Sequence, residues 1–132
     1  MEDYVTYEQA KKLREVGFCE ETRCGYYKMP KGNPQMTKWD ICLEASLDYA
    51  SFEYYKAPTL SQVQKWLREV KGIILHLEPR FYKGKKPLMG YDYHLSNKDN
   101  GMYSHIESET IYDTYEEALS VGIDKAIEIL KE

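Results

Sequence analysis

Pro58-Thr59-Leu60-Ser61-Gln62-Val63-Gln64-Lys65-Trp66-Leu67-Arg68-Glu69-Val70-Lys71-Gly72 reads as a helix with both ends marked. Thr59 and Gln62 form a capping box: the hydroxyl accepts from the backbone N–H three residues on, and the Gln side chain reaches back to the N–H of the Thr. Pro58 holds Ala57 extended, so the helix begins after it. Leu60, Val63, Trp66, Leu67 and Val70 then recur at close to helical spacing and make one apolar face. Gly72 marks the stop. The same box occurs twice more, at Thr6-Tyr-Glu-Gln9 and Thr114-Tyr-Glu-Glu117. The first opens a short helix from Thr6 to about Val16, with Tyr7, Ala10 and Leu13 inside and Gly17 as its C-terminal cap. The other opens a helix whose inner face carries Tyr115, Ala118, Leu119, Gly122, Ile123, Ala126, Ile127 and Leu130. Gly122 costs that helix about 1 kcal/mol against Ala, so it marks a place where a strand or ring comes close.

Between the helices the period changes to two. Arg23 to Met29 leads into the breaker-rich turn Pro30-Lys-Gly-Asn-Pro34. A second strand is expected between Lys38 and Tyr49, where Trp39, Ile41, Leu43, Ala45 and Leu47 alternate with polar neighbours. Ser51 to Lys56 reads either as a strand end or as an ordered loop. Ile73 to Tyr82, Leu88 to Ser96 and Met102 to Tyr112 follow, joined by turns at Lys83-Gly-Lys-Lys-Pro87 and Asn97-Lys-Asp-Asn-Gly101. The expected fold is α+β, with three helices packed on an antiparallel sheet in the order α-β-β-α-β-β-β-α, as a single domain over residues 1–132. Leu13-Arg-Glu-Val16 is echoed by Leu67-Arg-Glu-Val70. Convergence on good helix formers accounts for the echo, and duplication of an αββ unit is the alternative.

A chain of 132 residues can bury one core without staples. Its 13 tyrosines supply apolar ring area with a polar tip, which places many phenols near water or a backbone partner. No apolar run is longer than Ile73-Ile74-Leu75, far short of a bilayer span. The first residues lack the basic and apolar regions of a signal peptide. Cys19, Cys24 and Cys42 are an odd number, which argues against a disulfide framework and for reduced thiols. A cytoplasmic location is expected. With a net charge of −4 the chain has no global attraction to nucleic acid or anionic membranes.

Ala57-Pro-Thr-Leu60 leading into Lys65-Trp-Leu-Arg-Glu-Val70, Asp113-Thr-Tyr-Glu-Glu-Ala-Leu119 and the Gly122-Ile123 step resemble a family of small uncharacterised proteins. Members occur in gut-bacterial genomes, often in prophage or mobile-element regions, and the family has no assigned function. The likeness covers both later helices well, the first helix loosely, and Cys19 to Tyr55 hardly at all. It implies a bacterial cytoplasmic setting and an accessory role for a phage or mobile element.

Three constellations carry chemistry. Arg80-Phe-Tyr-Lys-Gly-Lys-Lys86 interleaves cations with rings, so Arg80, Tyr82, Lys83, Lys85 and Lys86 are candidate contacts to nucleic acid or to a partner. A solubilising hairpin tip, whose lysines keep an edge from pairing, explains the same residues and is favoured. If the hairpin register sets His76 against His94, then Glu78 faces Asp92 and all four share one face. Two imidazoles and carboxylates suit a transition metal. A one-residue slip would scatter them, and a wet face of ordinary polar residues is the favoured reading. The cysteines lack paired zinc-ligand spacing, so no stoichiometric metal is expected. Tyr26-Tyr27 and Tyr54-Tyr55 are read as core rings ahead of a recognition surface.

No Gly-x-Ser-x-Gly elbow, Walker loop, dinucleotide fingerprint or His-Glu-x-x-His is present. No catalytic residue, cofactor or metal ligand is therefore assigned. The reading that follows is a non-enzymatic accessory module that binds another protein. Nucleic-acid binding through the hairpin 80–86 is the alternative. An enzyme of unrecognised type stands third and requires a deep pocket containing His76, Glu78, Asp92 or His94. No membrane association is expected, and the oligomeric state is not legible.

Overall fold

A computed structural model describes residues 3–29, 31–38, 53–81, 89–97 and 104–131. The chain divides into two compact units, Met1–Thr59 and Leu60–Glu132.

The first unit contains α1 (Tyr7–Glu15), β1 (Cys24–Lys28), β2 (Gln35–Lys38) and β3 (Glu53–Ala57). The box at Thr6 is complete. Its hydroxyl accepts from the Gln9 N–H at 3.2 Å, and its own N–H donates to Gln9 Oε1 at 2.9 Å. The other end of α1 closes as a Schellman motif. Gly17, at φ 98°, donates to the Arg14 carbonyl and Phe18 donates to that of Leu13. The strands form an antiparallel sheet in the order β2-β1-β3, with Tyr26 opposite Tyr55 and Tyr27 opposite Tyr54. Tyr7 of α1 meets Tyr26 and Tyr55 edge-on, at 6.0 and 5.7 Å between ring centres. Tyr26 Oη donates to the Val5 carbonyl at 2.6 Å. Phenols thus tie α1 to the sheet, and Val5, Ala10, Leu13, Phe18 and Ala57 are buried in this unit.

The second unit contains α2 (Leu60–Val70), β4 (Ile73–Arg80), β5 (Gly90–Asn97), β6 (Ser104–Glu107) and α3 (Tyr115–Leu130). Its sheet is antiparallel in the order β4-β5-β6. α2 packs on β4 and α3, while α3 also packs on β4 and β5. Strand alternation sorts the faces. Leu75 and Tyr93 turn toward α3, where a methyl group added at Gly122 would sit 2.7 Å from Leu75 Cδ1 and 3.3 Å from Tyr93 Cβ. That is the close approach for which a glycine was expected. Trp66, Leu67, Ile73, Leu95, Ile123 and Ile127 are buried as well.

The α+β class and the antiparallel pairing agree with the sequence reading, and the three helices begin one residue after Thr6, Thr59 and Thr114. Two differences concern strands. They form two three-stranded sheets where one was expected, and β3 adds a strand at the segment that read as strand end or loop. The strand expected between Lys38 and Tyr49 lies outside the described residues, apart from Lys38, which closes β2. The order among described elements is therefore α-β-β-β-α-β-β-β-α. The two sheets also differ in connection: the first strand after the helix is central in one unit and at the edge in the other. This favours convergence over duplication as the source of the sequence echo. Among the described residues, no helix is long and apolar enough to cross a membrane.

Candidate functional site

The β4–β5 ladder pairs His76 with His94 and Glu78 with Asp92, and the β5–β6 ladder pairs His94 with Glu107. This is the register on which the polar constellation depended. Residues at even spacing share a face, so His76, Glu78, Arg80, Asp92, His94 and Glu107 lie on the side of the sheet opposite Leu75 and Tyr93. The two imidazoles stack with centres 4.9 Å apart and planes 15° from parallel. Glu78 lies between them, with Oε1 3.4 Å from His76 Nε2 and Oε2 3.5 Å from His94 Nε2. Asp92 Oδ1 is 3.1 Å from the same His94 nitrogen. Glu107 Oε1 stands 3.7 Å from the other ring nitrogen, His94 Nδ1.

Arg80 belongs to this cluster. Its Nε donates to Asp92 Oδ2 at 2.6 Å, and its Nη2 lies 2.6 Å from the same oxygen and 3.6 Å from Glu78. The hydrogen bond and charge of Asp92 push the Arg80 guanidinium still higher than its ordinary pKa. Burial is graded across the cluster. His94 is 4% exposed and Asp92 6%, whereas the side chains of His76 and Glu78 are 47% and 46% exposed. An inner pair is thus held in place and an outer pair faces solvent. Three carboxylates meet one guanidinium here, so with both rings neutral these groups carry a surplus of two negative charges.

The chain matches no family model, no curated protein and no solved structure. What the site can do is therefore read from its side chains alone.

Of the five candidate contacts at 80–86, Arg80 is engaged by Asp92, and Tyr82, Lys83, Lys85 and Lys86 lie outside the described residues. Cys19 is exposed and Cys24 half-buried, both as free thiols, while Cys42 lies outside the described residues. The paired tyrosines of β1 and β3 are half-buried. A cleft of about 560 Å³ lies in the first unit, lined among others by Arg14, Phe18, Cys19, Tyr54, Tyr55 and Lys56. None of the four polar hairpin residues belongs to it. Sequence reasoning missed two members of the hairpin cluster. Arg80 was read with the lysines that follow it, and Glu107 was not singled out. Only the β5–β6 register could have pointed to Glu107.

Proposed function

We propose that this chain is a non-enzymatic binding module whose ligand is another protein, serving a phage or mobile element in a bacterial cytoplasm. One observation carries the reading: large apolar side chains gather in water at the turn end of the β4–β5 hairpin. Phe81 is 61% exposed, and Met89, Ile111 and Tyr115 are exposed beside it. Their neighbourhood follows from the backbone. Met89 N–H donates to the Arg80 carbonyl, Tyr91 and Tyr112 exchange two hydrogen bonds, and Tyr115 meets the Tyr91 ring at 5.6 Å. Ile111 closes over Gly90. A single exposed apolar side chain needs no explanation, but four near one end of the hairpin support a docking surface there. The mix also suits protein contact, since Met adapts to its partner and Tyr offers rigid area with a polar tip. The bacterial and mobile-element setting is supported by the resemblance at Ala57–Leu60, Lys65–Val70 and Asp113–Leu119.

Affinity capture from the native host, split into nuclease-treated and untreated halves, tests the class of ligand. The proposal expects a saturable, stoichiometric protein partner in both halves. A complex that vanishes with nuclease treatment contradicts it and favours nucleic acid.

A further inference from the structure

The geometry points to a transition-metal site on the polar face of the β4–β5 hairpin, in which His76, Glu78 and His94 hold one zinc-class divalent ion and solvent completes its coordination. The ligand atoms of these three side chains already lie within 4.8 Å of one another. Tetrahedral zinc, with bonds of about 2.0–2.1 Å, has donor-to-donor edges of about 3.3 Å. Approaches of that size exist, at 3.4 Å from His76 Nε2 to Glu78 Oε1 and 3.5 Å from Glu78 Oε2 to His94 Nε2; they end on different oxygens, so the half-exposed carboxylate turns to present one of them to the ion. The two imidazoles offer nitrogens within 4.8 Å of each other, and the solvent-facing ring of His76 has room to close that distance against the buried His94.

The surrounding groups prepare His94 as a ligand. Glu107 Oε1 stands 3.7 Å behind its Nδ1, on the side from which an outer carboxylate supports a metal-bound imidazole. Arg80 grips Oδ2 of Asp92, whose Oδ1 holds His94 Nε2 at 3.1 Å, so a metal ion takes the place of the proton in that hydrogen bond. The charges point the same way. A dication held by Glu78 and the two rings cancels the surplus of two negative charges. Two imidazoles with a carboxylate select a borderline ion of the zinc type over magnesium or calcium. This reading runs against the metal-free expectation from the sequence because the register, which was the missing condition, is met.

Zinc titration of the full chain by calorimetry, after chelator treatment and its removal, decides the matter. One zinc per chain is expected, bound about tenfold or more weakly by His76→Ala and by Glu78→Gln. Both positions are half-exposed, and circular dichroism checks that the variants fold. Cobalt(II) in place of zinc should give the visible absorption of a tetrahedral site and lose it in the same variants. The absence of stoichiometric zinc overturns the proposal, as does binding that neither substitution weakens. So does zinc that is lost on alkylating the thiols and kept by His76→Ala, since that zinc belongs to the cysteines.

Discussion

Gly122 and Tyr7 show how single residues set the packing in each unit. A methyl group at Gly122 would add about 1 kcal/mol of helix propensity, but it would press on Leu75 and Tyr93, which are buried. Overpacking of this kind costs about 1–3 kcal/mol. Gly122→Ala should therefore lower stability by up to about 2 kcal/mol in chemical denaturation, and a variant more stable than the parent would mean that α3 stands off the sheet. Tyr7 donates to Glu53 Oε2 at 2.7 Å. That hydrogen bond, then burial and the Glu53 charge, push its pKa up to about 12. The folded state thus holds this proton more tightly than the unfolded state, whose tyrosines titrate near 10. The stabilisation is complete below pH 10 and lost as pH rises toward 12. Thermal melts across that window should fall less steeply for Tyr7→Phe than for the parent. At the same scale, His76, Glu78, Asp92 and His94 were legible as a set only on condition of a register. Period two fixes which residues share a face within a strand, but only pairing decides which residues face each other across two.

Helices were the most legible elements because their signals are local. A capping box is satisfied within four residues, so Thr6, Thr59 and Thr114 each place a helix start to within one position. Thr6→Ala removes the acceptor for the Gln9 N–H and should cost about 1 kcal/mol, whereas Thr6→Ser should be close to neutral. Equal stability of both variants and the parent would remove the box from the account of α1. Strands were less legible, for two physical reasons. Glu53-Tyr-Tyr-Lys-Ala57 hides its alternation because a tyrosine suits a wet face as well as a buried one, so β3 read ambiguously. Pairing is also long-range: nothing local tells β1 to pair with β3 across more than twenty residues, and the division into two sheets follows from that pairing.

Among the described residues each unit carries one antiparallel sheet with its own buried residues, and the polar cluster of histidines and carboxylates lies on the second. The basic run 80–86 bears on the alternative function. With Arg80 held by Asp92, its cation is already committed to a carboxylate 2.6 Å away. Three lysines remain, and by counterion release they support a log–log salt slope on duplex DNA of no more than about −3. We expect affinity for DNA and RNA at physiological salt to be no better than ordinary non-specific binding, measured by fluorescence anisotropy across a salt series. The central claim is that a protein docks on the apolar rim of the hairpin. Phe81 and Ile111 are exposed at that rim, so Asp in their place should leave the fold intact while placing charges where a partner buries rings and methyls. The most direct measurement is the amount of nuclease-resistant partner captured by the parent chain and by Phe81→Asp and Ile111→Asp, all verified as folded. The account predicts that both substitutions abolish or sharply reduce capture, and undiminished capture by both would contradict it.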